Sequence, residues 1–397
     1  MKRLTILGST GSIGTSTLDV VRRNPQRFSV YALAAGSNLD VLVPQIKEFR
    51  PKVVIVATPK VLASLTGRLA DSGIPKPEWP ELSTGGHALV AAATAGEADF
   101  LISAIVGVAG LEATYAAIKV GKGVGLANKE VLVASGKLVM EAVRESGAPL
   151  IPVDSEHNGL HQCLRAGLRQ EVSRLILTAS GGPFRDTPKS ELASVTPAQA
   201  LNHPTWKMGR RITIDSATMM NKGFEVIEAC WLFDVPPGLV DVVVHPQSSV
   251  HAMVEFSDGT CMAQVSTTDM RMPIQYALLY PERAPSPVPR MDWSQARTWT
   301  FSSPDLDKFP LLRLAYGAQE AGGSATCTLN AADEIAVGAF LDGRISYPAI
   351  AETVEETLSR VPVREPGSIA EVLEIDKESR AVARGLVVER TGELSKV

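Results

Sequence analysis

Between Asp215 and Glu228 the chain reads DSATMMNKGFEVIE. This places Ser216, Asn221, Lys222, Gly223, Glu225 and Glu228 within fourteen residues. Hydroxyl, amide and ammonium donors suit a phosphate or a sugar, because each bonds an anionic or hydroxyl oxygen. A carboxylate three residues past the lysine suits a hard cation. The same residues would also make a polar loop capping a helix with solvated glutamates. A second acidic pair, Asp154 and Glu156 in VDSEHN, follows an apolar run. Two apart in extended chain, they face one side. Two converging carboxylates ionise together only with a cation between them. Alone, the pair reads better as two solvated acids at a loop mouth. With Glu225 it makes a three-carboxylate set, and all-oxygen ligation selects Mg²⁺ or Mn²⁺ over zinc.

Five other stretches carry polar chemistry, four of them at the ends of apolar runs. Gly8-Ser9-Thr10-Gly11-Ser12-Ile13-Gly14 lies between a first strand and a first helix. Its GxxGxxG spacing lets backbone N–H groups approach a pyrophosphate at a helix N-terminus. After the second strand comes Ala35-Gly36-Ser37-Asn38, with no acid for a ribose 2′-hydroxyl. That removes a repulsion against a 2′-phosphate and favours NADP over NAD. In Ala127-Asn128-Lys129-Glu130 the lysine suits an oxyanion and the glutamate a ribose or nicotinamide, or both start a surface helix. Ser180-Gly181-Gly182 again joins a hydroxyl to glycine backbone donors. His203-Pro204-Thr205-Trp206-Lys207-Met208-Gly209 reads either as a lid that excludes water or as a loop anchored by its tryptophan.

The elements that must position these residues form three parts. Short apolar strands over 3–7, 28–35, 53–57, 100–106, 124–127 and 150–153 alternate with helices over 13–23, 39–49 and 110–119. That alternation predicts a Rossmann-like parallel sheet covered on both faces. Strands over 174–179, 240–245, 250–256 and 260–266 predict a mixed or antiparallel sheet, the last two joined by the turn Ser257-Asp258-Gly259. An edge or face of that sheet could serve a dimer. A proline-rich linker follows, and then helices over 308–321, 331–342, 348–361 and 368–385, with Asn330 as an N-cap and Ser368/Glu371 as a capping box. The fold class is therefore α/β. Residues 1–150 are the nucleotide-binding domain, 151–280 an α+β catalytic, metal-binding and dimerisation domain, 281–304 a linker and 305–397 an all-α helical domain.

Composition narrows the function classes. The chain has 397 residues, 45% of them hydrophobic and 21% charged, and a net charge of −4, with no dense basic run for a nucleic acid. Cys163, Cys230, Cys261 and Cys327 show no CxxC spacing, which argues against a zinc cluster and fits a reducing cytosol. The N-terminus enters a strand at once, so no signal or transit peptide is expected there. The longest apolar run, Leu101 to Leu111, is too short for a bilayer.

GSTGSIG, ANKE, VDSEHN, TASGGPF, HPTWKMG and DSATMMNKGFEVIE occur in that order. Together they resemble the 1-deoxy-D-xylulose 5-phosphate reductoisomerase family over essentially the whole chain, including HPQSSVHAMVEF and LNAADEIAV. The resemblance implies NADPH contacts from Thr10, Gly11, Ser12, Ile13, Gly36, Ser37, Asn38, Asn128, Glu130 and Gly209. It implies one Mg²⁺ or Mn²⁺ per subunit on Asp154, Glu156 and Glu225. It implies a sugar phosphate surrounded by Lys129, Ser155, Glu156, Ser180, His203, Ser216, Asn221, Lys222 and Glu225, under a loop carrying Trp206 and Met208. Ser180, Ser216, Asn221 and Lys222 would take the phosphate, Glu225 the metal at the reacting end, and Glu228 a supporting place. A homodimer in a bacterial cytoplasm is implied, with no nucleic acid or membrane partner; a plastid protein stripped of its transit peptide would look similar. Many members carry Lys or Arg where this chain has Ser37. Competing readings are an NADP-dependent dehydrogenase, which in its semialdehyde form needs a nucleophilic cysteine, a metal-dependent sugar-phosphate isomerase or aldolase, and an NADP sensor. A sensor has no need of the three acids.

Overall fold

A computed structural model describes residues 1–206 and 208–391; Lys207, inside the lid motif, lies outside them. The chain forms two compact units. The first comprises Met1–Val131, Val139–Asn158 and Asp269–Arg290; the second comprises Leu132–Leu138, Gly159–Thr268 and the chain from Met291.

The first unit is built on seven parallel strands: β1 (Lys2–Leu7), β2 (Phe28–Ala35), β3 (Val53–Val56), β4 (Glu81–Thr84), β5 (Phe100–Ser103), β6 (Gly123–Leu126) and β7 (Leu150–Pro152). Their order is β4-β3-β2-β1-β5-β6-β7, so the winding reverses between β1 and β5. In open α/β sheets the crevice at that reversal, outside the carboxyl ends of the strands, is where ligands bind. β5 and β6 are buried along their whole length, as strands covered on both faces must be. The connecting helices are α1 (Ser12–Arg23), α2 (Leu39–Phe49), α3 (Pro59–Asp71), α4 (Gly86–Thr94), α5 (Leu111–Lys119) and α6 (Glu130–Ser146), followed by α7 (Ser155–Cys163).

Five of these elements, α3, β4, α4, α6 and α7, go beyond the strands and helices given by the sequence reading. β4 is ELST, a short edge strand with no fully buried residue, so it carries no apolar run. α3 did carry a signal: Thr58 accepts from the Val61 N–H at 3.3 Å and Pro59 opens the helix.

The second unit holds β8 (Val172–Ala179), β9 (Val240–Val244), β10 (Val250–Phe256) and β11 (Cys261–Val265), in the order β11-β10-β8-β9. β8 and β9 are parallel and the other pairs antiparallel, so the sheet is mixed. Gly259, at φ +83°, closes the β10–β11 hairpin, and Asp258 accepts from the Thr260 N–H at 2.8 Å. Val250, Ala252, Val254 and Phe256 are all buried. The helices are α8 (Pro197–Ala200), α9 (Arg210–Ala217), α10 (Met220–Phe233), then α11 (Arg271–Leu279), which belongs to the first unit, and α12 (Pro310–Ala321), α13 (Ala325–Leu341), α14 (Tyr347–Arg360) and α15 (Ile369–Thr391). One hydrophobic cluster runs from Leu175 and Leu177 of β8 through Phe224 and Ile227 of α10 to Leu329, Phe340 and Ile350 of the later helices. Every residue of α11 from Pro273 to Leu279 is buried, and Arg271 bridges to Asp19 of α1 at 3.0 Å. Among the described residues, no helix is long and apolar enough to cross a membrane.

Ser368 and Glu371 meet as a cap: the Glu371 N–H donates to Ser368 Oγ at 3.3 Å, and Glu371 accepts from the Gly367 N–H at 2.9 Å. The expected cap at Asn330 is not one. α13 starts at Ala325, after Gly322 and Gly323, and Asn330 lies fully buried in mid-helix. Its amide oxygen accepts from Arg211, so its polarity serves another helix and not its own terminus.

Candidate active site

The chain between β1 and α1 is too tight for side chains. Gly8 has φ +89°, and a Cβ there would lie 2.4 Å from the Ala104 carbonyl oxygen; a Cβ on Gly14 would lie 2.3 Å from that of Gly8. Only glycines allow this stacking of loop, helix and neighbouring strand. Gln45 of α2 holds the Ser9 carbonyl at 2.9 Å. α1 is capped by Gly11 without a side-chain acceptor, so its first N–H groups are left for an anion. Gly11, Ser12, Gly36, Ser37 and Asn38 are exposed, and Thr10 and Ile13 half-buried. The Asn38 oxygen caps α2, accepting from the Val41 N–H at 3.3 Å, which leaves its amide N–H groups to meet a phosphate.

Asn128 and Glu130 hold down the connection after β5. Asn128 Nδ2 donates to the Gly107 carbonyl at 2.9 Å and to that of Ile105, and Glu130 accepts from the Gly107 N–H at 3.1 Å. Asn128 Oδ1 is buried without a hydrogen-bond partner, an acceptor that a donor on a bound nucleotide would satisfy. The glycine-lined α1 terminus and this acceptor fit a dinucleotide.

Next in the chain, Lys129 Nζ lies 2.7 Å from Asp154 Oδ2, with both side chains largely buried. The expectation that Asp154 and Glu156 share a face of extended chain is corrected here. β7 stops at Pro152 and α7 starts at Ser155, so Glu156 sits in a first helical turn. Acids at a helix N-terminus are favoured by its dipole, so Glu156 suits this first turn. Ser155 Oγ donates to Glu156 Oε2 at 2.5 Å. Asn158 fixes the turn, donating to the Pro152 carbonyl at 2.8 Å and to that of Pro273 at 3.3 Å.

In the second unit, β8 ends at Ala179 and Ser180 begins the glycine turn. Gly182 has φ +68°, and a Cβ on it would lie 2.6 Å from the Ser216 carbonyl oxygen, so the turn rests on the end of α9. His203 joins the two serines: its Nε2 is 3.1 Å from Ser180 Oγ and 3.1 Å from Ser216 Oγ. Its Nδ1 accepts from the backbone N–H groups of Thr205 at 3.1 Å and Trp206 at 2.9 Å. An Nδ1 that accepts carries no proton, so Nε2 is the donor of the neutral ring. Burial pushes the His203 pKa down and keeps the ring neutral. Ser180 also accepts from the Gly182 N–H at 3.2 Å. The single Nε2–H is shared between the two serine oxygens, so their O–H groups can donate outward. Hydroxyl donors suit a phosphate. Trp206 and Met208 are half-buried on the same loop, and Gly209 caps α9.

α10 opens from a strained residue. Met219 has φ +65°, a region a long side chain rarely enters, between the end of α9 and the start of α10. In its first turn, Asn221 Nδ2 donates to Glu225 Oε1 at 2.6 Å, and Lys222 Nζ to Glu225 Oε2 at 2.5 Å. The sequence reading gave Asn221 and Lys222 to one end of a substrate and Glu225 to the other; here the three side chains touch, because positions i, i+3 and i+4 share a helix face. Lys222, Glu225 and Glu228 are almost fully buried.

No cysteine is poised as a nucleophile. Burial pushes the Cys163 thiol up to about 11 and those of Cys230 and Cys327 up to about 12; the exposed Cys261 is raised as well, mainly by burial. A thiol held protonated is a poor nucleophile, which argues against the semialdehyde reading.

Three family models cover the chain: 1-deoxy-D-xylulose 5-phosphate reductoisomerase over residues 4–136, its C-terminal domain over 150–233, and the DXP reductoisomerase C-terminal domain over 265–382. The chain belongs to the 1-deoxy-D-xylulose 5-phosphate reductoisomerase family. A reductoisomerase of Solibacter usitatus is 68% identical over 386 residues, covering 97% of each chain. The solved reductoisomerase of Zymomonas mobilis in complex with NADPH is 46% identical, with a TM-score of 0.89 over 97% of this chain and 99% of that one. Another, in complex with NADPH, fosmidomycin and magnesium, is 40% identical, with a TM-score of 0.90 over 98% of both.

The reductoisomerase motifs thus resolve into local groups: Ser180 with His203 and Ser216, Lys129 with Asp154, Ser155 with Glu156, and Asn221 and Lys222 with Glu225. Sequence reasoning missed Gln45 and Arg185. The Arg185 guanidinium holds the Ser180 carbonyl at 3.0 Å. A cation just past a serine–glycine turn was the available signal.

Proposed function

We infer that this chain converts 1-deoxy-D-xylulose 5-phosphate to 2-C-methyl-D-erythritol 4-phosphate, an NADPH- and divalent-metal-dependent rearrangement and reduction on the non-mevalonate route to isoprenoid precursors. The observation that carries the reading is the Ser180–His203–Ser216 cluster, whose hydroxyls can donate to a phosphate, in a chain that matches the family along nearly its whole length.

The roles we assign follow the local chemistry. Ser180, Ser216 and His203 hold the phosphate. Thr10, Gly11, Ser12, Ile13, Gly36, Ser37, Asn38, Asn128, Glu130 and Gly209 hold NADPH, which when bound supplies the reducing equivalent. Asp154, Glu156 and Glu225 hold one Mg²⁺ or Mn²⁺ per subunit, which when bound polarises the substrate's oxygens. Lys129 and Lys222 keep the Asp154 and Glu225 carboxylates oriented and charge-balanced, and Ser155 orients Glu156 by its hydrogen bond. Asn221 fixes the other Glu225 oxygen and, with Lys222, reaches the substrate. Trp206 and Met208 ride on the closing loop; phosphate binding far from the changing bonds drives that closure. Residues 1–150 serve as the nucleotide domain, joined by 269–290 in the same compact unit, 159–268 as the catalytic and dimerisation region, and the helices from Pro310 as a region that shares its hydrophobic cluster. The exposed edge strand β11 supplies a homodimer contact, since its unpaired edge needs cover. The protein works in a bacterial cytoplasm.

The test is optical. NADPH absorbance falls when 1-deoxy-D-xylulose 5-phosphate and Mg²⁺ or Mn²⁺ are added together, and not when a chelator is present. No loss of NADPH with that substrate refutes the reading. Glu225→Gln should then lose turnover by at least about 10²-fold, as removal of a key charge in a site does, while NADPH titration by fluorescence is unchanged. Near-normal turnover would remove Glu225 from the metal.

A further inference from the structure

α9 is short, and it carries Ser216 near its end. Both ends of the helix are pinned to helices far along the chain. In its first turn Arg211 projects into a largely buried array. Nη1 lies 2.9 Å from Glu334 Oε2, Nη2 is 2.9 Å from Asn330 Oδ1 and 3.6 Å from Asp333 Oδ2, and Nε is 3.8 Å from Asp215 Oδ2. Glu334 Oε2 also accepts from Arg380 of α15 at 2.9 Å, and Arg380 pairs with Asp376 at 2.6 Å. At the other end Tyr347 of α14, packed edge-on against Phe184 and Phe340, donates to the carbonyl of Ala217 at 2.7 Å.

Packing alone does not call for this chemistry. Ion pairs buried in a protein interior are often replaceable by apolar groups without loss of stability, so they are weak devices for stability. Asp333 makes the point: it is fully buried, and burial, partly opposed by Arg211, pushes its carboxyl up to about 6. What a planar guanidinium does provide is direction, since its fork fixes the angle and height of the helix that bears it. α9 rises 1.5 Å per residue, so a slip of less than one residue would carry Ser216 Oγ out of the 3.1 Å contact with His203.

We propose that Arg211 is a positioning residue for the substrate phosphate: with Asn330, Asp333 and Glu334 of α13 it sets the register of α9 and so holds Ser216 against His203 and Ser180. The inference rests on the assignment of Ser216 to the phosphate. It gives the buried polar face of α13 a purpose that its place in the core leaves unexplained.

Steady-state kinetics of the full-length protein test it, with Arg211→Met, Arg211→Lys and Asp376→Asn beside the wild type. Arg211→Met should raise KM for the sugar phosphate about tenfold or more, since a displacement near 1 Å is costly in an organised site, with KM for NADPH unchanged. Arg211→Lys, which keeps the charge and loses the fork, should fall between the two. Asp376→Asn, at the far end of the array, should lower the melting temperature without moving KM. A wild-type-like sugar-phosphate KM in Arg211→Met, or an equal rise in both KM values, overturns the proposal. Should Arg211→Met not fold, a wild-type-like KM in Arg211→Lys overturns it in the same way. Absence of turnover in the wild type itself would instead overturn the functional reading.

Discussion

The connection after β1 and the cluster after β8 both present donors to an anion, and they are made of different atoms. The first uses main chain. Its requirements are steric and local: Gly8 and Gly14 leave no room for a Cβ, and α1 starts where its N–H groups lack acceptors. The second uses side chains from three places in the sequence, Ser180, His203 and Ser216, and the direction of every proton depends on a partner elsewhere. A backbone site tolerates almost any neighbour and no larger residue; a side-chain site tolerates modest steric change and depends on its supports.

The sharpest way to break that contrast is Gly14→Ala. Its methyl would meet the Gly8 oxygen at 2.3 Å and Ser9 Cα at 2.4 Å, both backbone atoms that cannot swing away. NADPH affinity should fall by about 10²-fold or more, the scale of a strain of about 3 kcal/mol. Isothermal titration giving wild-type affinity would show that the loop is not the cofactor site. Ser216→Ala comes next. Removing one phosphate donor should raise KM for the sugar phosphate about 10- to 30-fold, the loss of one charge-assisted hydrogen bond, and leave the NADPH titration alone. A matching change in both ligands would erase the distinction between the sites.

Ser37→Arg is a milder probe of the first region, where Ser37 is exposed just after β2. The ratio of kcat/KM with NADPH to that with NADH should rise by about fivefold, as one added exposed charge pairing with a phosphate allows. An unchanged ratio would place the 2′-phosphate elsewhere. The smallest effect is on stability. The glycine loop has no titratable group, whereas the second unit buries several. At His161, burial first and the Arg165 charge second hold the pKa down to about 4. The unfolded ring titrates near about 6.5, so between these values the unfolded state binds more protons. Stability from this group is full above about pH 6.5 and is lost as pH falls toward 4. Asp333 has the opposite sign: held up to about 6, it contributes below its unfolded value and loses that contribution as pH rises through 6. His161→Gln should therefore flatten the acid side of the denaturation-midpoint profile. The same acid slope in the variant would assign the loss to other groups.

Much of this arrangement was legible residue by residue. The glycine spacing after β1 announces a backbone site because only glycine meets its steric demand. Apolar runs such as FLIS in β5 announce buried parallel strands because both faces must be covered. The acids of VDSEHN were visible, though their geometry was not: the choice between strand and helix at Ser155 depends on a turn that Asn158 fixes through Pro152 and Pro273. Asn330 looked like a cap because a polar residue before an acidic turn usually is one; its actual partner lies 119 residues away.

The sequence by itself determined the family, the alternation of strands and helices, the glycine loop after the first strand and the inventory of polar groups. Each follows from local sterics, periodicity or residue type. The tertiary structure alone decided that helix 271–279 packs with the nucleotide sheet and that Asn221 and Lys222 converge on Glu225. It also decided that His203 presents Nε2–H to two serines and that Arg211 ties the serine-bearing helix to α13. Those outcomes are choices of partner, and a hydrogen bond or ion pair selects its partner by position in space, which separation along the chain does not encode.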